Sequence, residues 1–212
     1  MSARTDAPSL DSAKKGTIDM PESTFYFDLG SPFAYLTAER LDEALPEPVI
    51  WQPVSLGALF KMNGRSSWAV GEADARQAGM ADVERRARGY GLGPVRWPDP
   101  WPTNYLYAMR AAIYAFEVGC GRQFTIQAFR QAFVRGQDLA IVENVLEVAE
   151  QAGLDRGAVE EATRDPDIKL ALRAATDAAH ARGVFGVPTL AIDDQIFWGD
   201  DRVADAAAAL ER

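Results

Sequence analysis

The sequence predicts an α/β fold interrupted by a large all-helical insertion. Three observations carry that prediction. A β-branched and aromatic run, Thr24-Phe25-Tyr26-Phe27, is followed by a helical stretch and a second apolar run, Val49-Ile50-Trp51-Gln52-Pro53-Val54. Two strands joined by a helix should be parallel, with a right-handed crossover. From about Glu72 to Arg182 the apolar periodicity is helical, with no strand signal between. Strand character returns only at Thr189-Leu190-Ala191-Ile192-Asp193 and Ile196-Phe197-Trp198.

Taken in order, residues 1–22 are polar, and Lys14 and Lys15 are not followed by an apolar core. They read as a disordered tail rather than a secretory signal, which gives a cytoplasmic expectation. Thr24 to Phe27 suit a strand buried on both faces. Asp28-Leu29-Gly30 is turn chemistry. Ser31-Pro32 then opens a helix, serine as N-cap and proline at the first helical position, and the helix runs to near Pro46.

After the second strand, Leu56 to Phe60 leads into a polar loop, Lys61 to Ser67. Glu72 to Tyr90 reads as a helix with a weak apolar face, and Arg85, Arg86 and Arg88 as its solvated side. Gly93 to Asn104 holds too many prolines for helix or central strand. Its Trp97 and Trp101 make it either an aromatic-anchored linker or part of a site wall. Thr103 or Asn104 caps a helix over Tyr105 to Val118, with Leu106, Met109, Ile113 and Phe116 at core spacing.

Further helices are predicted over Phe124 to Arg135, Val142 to Gln151, Asp155 to Thr163 and Asp167 to Arg182, with Pro166 as an interruption. Asp193-Asp194-Gln195 turns a β-hairpin, and Asp201 to Leu210 is a final helix. Keeping the last helix of the block leaves the order β-α-β-α-β-β-α. That is a thioredoxin-like fold, with residues 23–60 and 183–212 as the thioredoxin-like domain and 61–182 as the inserted helical domain.

Composition excludes several function classes. A net charge of −9 argues against nucleic acid or an anionic membrane surface as partner. No apolar run approaches membrane-spanning length. One cysteine, Cys120, and one histidine, His180, allow no intrachain disulfide, no paired-cysteine zinc site and no multi-histidine metal site. No metal is expected. A Ser-His-Asp hydrolase lacks support, because Ser31 is not set in the glycine pattern of a nucleophile elbow.

Two stretches carry chemistry. Ser31 aims a hydroxyl at a helix N-terminus, where unpaired N–H groups and the helix dipole favour an anion. The alternative is a simple N-cap. Val187-Pro188 stands directly before a strand, where a cis bond would leave the Val187 N–H and C=O free to pair with an extended peptide. A peptide-binding edge beside an anion-stabilising helix end suits a small thiol peptide, because helix N-termini lower thiol pKa values.

These stretches, in order, are Phe27-Asp28-Leu29-Gly30-Ser31-Pro32-Phe33-Ala34-Tyr35, Gly57-Ala58-Leu59-Phe60-Lys61, Trp101-Pro102-Thr103-Asn104, Gly183-Val184-Phe185-Gly186-Val187-Pro188-Thr189 and Phe197-Trp198-Gly199-Asp200-Asp201-Arg202. Together they resemble the family of 2-hydroxychromene-2-carboxylate isomerases and kappa-class glutathione transferases, relatives of the DsbA oxidoreductases. A serine at position 31, where a disulfide oxidoreductase needs a thiol, separates the chain from those relatives.

The resemblance implies glutathione as cofactor, with Ser31 as the catalytic residue holding its sulfur as thiolate. Pro32, Phe33, Val187 and Pro188 would complete the peptide site, and Asp200 and Asp201 would receive the γ-glutamyl end. Lys61, Asn63, Gly64, Arg65, Trp97 and Asn104 are expected around the second substrate, a small aromatic carboxylate or electrophile, its carboxylate taken by Lys61 or Arg65. Arg65 departs from the transferase pattern, which tends to asparagine there. The implied reaction is isomerisation through thiolate addition, bond rotation and thiol expulsion; conjugation at the same site is the alternative, and a non-catalytic thiol-peptide module a third. A homodimer is expected.

Overall fold

The computed structural model describes residues 23–45 and 47–211. The expected tail, residues 1–22, and Pro46, the expected helix end, lie outside the described residues. Strands β1 (Ser23–Phe27), β2 (Ile50–Pro53), β3 (Thr189–Ile192) and β4 (Gln195–Trp198) form one mixed sheet in the order β2-β1-β3-β4. β1 runs parallel to β2, Phe25 opposite Trp51, and antiparallel to β3, Phe25 opposite Leu190. β3 and β4 form the expected hairpin, with Asp193 at φ 49°, a turn conformation that aspartate tolerates.

Ten helices accompany the sheet among the described residues: α1 (Pro32–Ala38), α2 (Leu41–Ala44), α3 (Leu56–Met62), α4 (Ala73–Gly89), α5 (Leu106–Glu117), α6 (Gly121–Phe133), α7 (Val142–Gln151), α8 (Arg156–Arg164), α9 (Pro166–Ala181) and α10 (Val203–Leu210). The first predicted helix is therefore two. The Arg40 N–H bonds the Thr37 carbonyl, while its Nε takes the Leu36 carbonyl that a continuing helix would have used. α3 extends to Met62, so Lys61 lies on its last turn rather than in the loop. Pro166 opens α9 instead of only interrupting, with Asp165 capping the Asp167 N–H at 2.8 Å. α10 starts two residues later than expected, after a 3-10 turn over Asp200–Arg202.

Period-two alternation divides β1 between two cores. Phe25 and Phe27 face the larger one, where Phe27 meets Phe129 of α6 at 6.0 Å and Phe116 of α5 at 6.2 Å. Tyr26 faces a smaller core with Val54, Leu59, Val184 and Ala191. The inserted helices and the sheet thus share one hydrophobic core. Burying each of these phenylalanines stabilises the fold by about 1.5–3 kcal/mol. Leu106 is an exception to the core spacing expected of α5: as the first helical residue it is 40% exposed.

Candidate active site

β1 delivers the chain into the turn Asp28 to Ser31. The Asp28 carboxylate accepts the Gly30 N–H through Oδ1 and the Leu56 N–H through Oδ2, each at 2.8 Å. One side chain thereby ties the start of α1 to the start of α3. Burial pushes the Asp28 carboxyl above its ordinary value, and the two N–H donors oppose that rise.

Ser31 is the N-cap of α1 and is 3% exposed. Its Oγ accepts the Ala34 N–H at 3.2 Å, and Pro32 occupies the first turn. No acceptor among the described residues takes the Ser31 hydroxyl proton. The cap is therefore made with the oxygen, and the O–H remains available to a ligand.

Val187-Pro188 is cis. The ladder between β1 and β3 begins at Tyr26 and Thr189, and no hydrogen bond among the described residues engages the Val187 N–H or C=O. Ser31 and Val187 line one cavity of about 1430 Å³. Pro32, Phe33, Lys61, Arg65, Asn104, Pro188, Asp200 and Asp201, all expected at the site, line it too. Neither Thr103 nor Asn104 is the N-cap of α5, which is Tyr105: Asn104, one residue earlier, accepts the Leu106 N–H at 3.0 Å, and Thr103 bonds Asp138 at 2.6 Å.

Asp200 and Asp201 differ in what they can do. Asp200 is 3% exposed, and its carboxylate accepts from Arg86 Nη1 at 2.8 Å and the Tyr90 hydroxyl at 2.9 Å. Its carbonyl also accepts from Arg40 Nη2, whose guanidinium lies 3.4 Å from the centre of the Tyr90 ring. Burial pushes the Asp200 carboxyl up, opposed by the Tyr90 hydrogen bond and by Arg86. Asp200 fastens α4 to the turn before α10. Asp201 stays open, with Arg86 only at 3.7 Å.

Three expected residues do not line the cavity. Trp97 donates its indole N–H to Glu84 at 2.8 Å and packs against Trp101 at a tilt, 4.7 Å between ring centres, so Trp101 forms the wall and Trp97 supports it. Asn63 donates to the Leu59 carbonyl at 2.8 Å and closes α3. Gly64, at φ 61°, turns the chain beyond it, a conformation glycine adopts without strain. Arg86 is not on the solvated side of α4: it bonds Asp82 through Nε at 2.9 Å as well as Asp200.

The sequence reading missed Trp68, Arg86, Asp28 and Trp198 as cavity residues. Trp68 stands between Phe33, at 6.1 Å, and Trp101, at 5.5 Å, and nothing local in Ser66-Ser67-Trp68 signals that. Arg86 was legible, because it follows buried Val83 by three residues and so shares its helix face. Trp198 was legible too: next to buried Phe197 on β4, strand alternation turns it outward.

Comparison with known proteins agrees with this architecture. The model of the DsbA-like thioredoxin domain matches residues 24–211. A 2-hydroxychromene-2-carboxylate isomerase of Sphingobium xenophagum is 31% identical over 183 residues, spanning 84% of this chain and 92% of that one. One of Pseudomonas putida is 27% identical over 203 residues, spanning 89% and 93%. Among solved structures, a 2-hydroxychromene-2-carboxylate isomerase superposes with a TM-score of 0.79 at 26% identity, covering 90% of this chain and 94% of its own. With a DsbA-like thioredoxin domain over nearly all its length and relatives of this kind, the chain belongs to the 2-hydroxychromene-2-carboxylate isomerase family.

Proposed function

We propose that the chain is a glutathione-dependent isomerase acting on 2-hydroxychromene-2-carboxylate or a similar intermediate of aromatic degradation. The observation that carries the reading is the Ser31 hydroxyl, which caps α1 with its oxygen and keeps its proton for a ligand. The isomerase names of the relatives support the reaction class. Glutathione is supported by the donor set: a free O–H at a helix N-terminus for sulfur, unpaired Val187 backbone groups for an extended peptide, and an open Asp201 carboxylate for an ammonium.

Glutathione, when bound, supplies a recyclable thiolate nucleophile for the conjugated bond that must rotate. The chain's residues do the rest. Ser31 donates to the sulfur, and the N-terminus of α1 adds a field that favours the thiolate. Val187 pairs with the peptide as a neighbouring strand would. Asp201 holds the amino end through a charge-assisted bond. Phe33, Trp68 and Trp101 give the aromatic substrate an apolar wall that excludes water.

Ser31→Ala tests the reading. Loss of one donor to a charged sulfur should cost about ten- to a hundred-fold in turnover near neutral pH. The ultraviolet thiolate absorbance of the glutathione complex should shift to higher pH, and turnover should partly recover in alkali. An unchanged thiol titration with only a loss of thermal stability would reduce Ser31 to a helix cap. A product that retains the glutathionyl group would assign conjugation instead.

A further inference from the structure

The cavity separates its charges. Four cationic side chains among the described residues line it: Lys61, Arg65, Arg86 and Arg202. Arg86 is neutralised by Asp82 and Asp200, and Arg202 pairs with Asp205. Lys61 and Arg65 have no ion pair among the described residues. In a chain of net charge −9, a small anion approaching the cavity is repelled overall, so uncompensated cations inside it decide whether the anion stays.

Arg65 differs from Lys61 in being held in place. Its N–H bonds the Phe60 carbonyl at 2.9 Å, which folds the residue back against the end of α3. Its guanidinium lies 5.0 Å from the centre of the Phe185 ring and 5.7 Å from that of Trp198. Those two rings meet edge to face at 4.8 Å, so they form a single platform. Gly186 lets that platform pack close, since a Cβ there would stand 2.7 Å from the Trp198 indole nitrogen. Trp198 remains 46% exposed and lines the cavity. The result is a planar cationic fork, pre-oriented over aromatic surface and with no carboxylate partner among the described residues. Such a fork matches a carboxylate in two-point geometry, and the exposed indole offers a face to the ring that bears it.

We propose that Arg65 is the specificity-determining residue of this site, binding the carboxylate of a planar aryl carboxylate whose ring lies against Trp198. The assignment rests on the isomerase reading for the reaction, but its recognition chemistry does not require a thiol. It gives Arg65, rather than Lys61, the task of telling the anionic substrate from a neutral ring of the same shape.

The test measures binding without glutathione. Chromone-2-carboxylate and uncharged chromone are titrated calorimetrically into the full chain, into Arg65→Gln and into Lys61→Gln. The native protein should prefer the carboxylate. Arg65→Gln should lose about tenfold of that preference, the worth of a charge-assisted bond, through weaker carboxylate binding with chromone binding unchanged. Lys61→Gln should keep most of it. The proposal is overturned if Arg65→Gln preserves the preference, if it weakens both ligands alike, or if Lys61→Gln removes the preference instead. A parallel titration with glutathione separates the two readings. If the native chain fails to bind glutathione, the isomerase mechanism falls while the Arg65 result stands. If Arg65→Gln impairs glutathione and spares the chromone carboxylate, Arg65 belongs to the peptide site and the proposal is wrong.

Discussion

Arg86→Met removes one partner from a carboxylate that has almost no water. The methionine keeps an aliphatic stem near the Phe33 ring, which the Arg86 guanidinium approaches to 5.4 Å, so packing is largely retained and charge is lost. Asp200 would keep the Tyr90 hydroxyl at 2.9 Å but lose its 2.8 Å bond to Arg86. Breaking a buried ion pair from one side costs roughly 3–5 kcal/mol. Here the Arg86 side chain is partly open to the cavity and Tyr90 still donates, so we expect about 2–3 kcal/mol, below that span. Asp200→Asn alone should cost about 1–2 kcal/mol, since Arg86 retains Asp82. The double variant should cost little more than the worse single one, a coupling of about 1.5 kcal/mol.

Urea unfolding gives these values from shifts in midpoint at constant slope. The pH dependence supplies a second check. Burial already holds the Asp200 carboxyl above its ordinary value, and removing Arg86 withdraws an influence that lowers it. A raised carboxyl pKa means the folded variant binds the proton more tightly than the unfolded chain, so its stability rises as the pH falls through the folded pKa. The penalty of Arg86→Met should therefore shrink in mild acid. Additivity within about 0.5 kcal/mol, together with a penalty independent of pH, would refute the fastening role of the pair.

Two further outcomes follow from buried aromatic groups. Gly30→Ala would set a Cβ 2.5 Å from Cδ2 of the buried Tyr105 ring, one residue before Ser31, and should cost about 1–3 kcal/mol in thermal unfolding; an unchanged melting temperature would mean that the ring moves freely. Burial pushes the Tyr35 and Tyr105 hydroxyls up to about 12, so the stability they contribute is complete below about 10 and is lost as the pH rises toward about 12. Urea midpoints across that range should fall less steeply in Tyr35→Phe/Tyr105→Phe, and parallel curves would contradict the assignment.

Much of this architecture was legible in local chemistry. The Ser31-Pro32 cap, the buried Phe25 and Phe27, and the cis bond at Val187-Pro188 each follow from rules acting over a few residues. The site was less legible where partners come from far along the chain. Asp200 and Asp201 are neighbours and chemically identical, yet one is spent on Arg86 and Tyr90 of the insertion and the other remains open. Trp97 and Trp101 likewise differ through distant partners, Glu84 and Phe133 for the first and Trp68 for the second, which nothing in the proline-rich segment announces. The break between α1 and α2 depends on an arginine that reaches both Leu36 and Asp200.

The pairing of β1 with β3 has a consequence for how the chain is made. Thr24 meets Ala191, which follows it only after the whole helical block. During synthesis, β1, β2 and the whole helical block leave the ribosome before the strand that covers the other edge of β1 exists. That edge, which runs along Phe25 and Tyr26, is an open template for wrong pairing until β3 emerges. Val187 arrives just before β3, so the part of the cavity wall that it forms is absent until then. The closed cavity and the protection of that edge are thus acquired together, and a nascent chain stalled shortly before Val187 has neither.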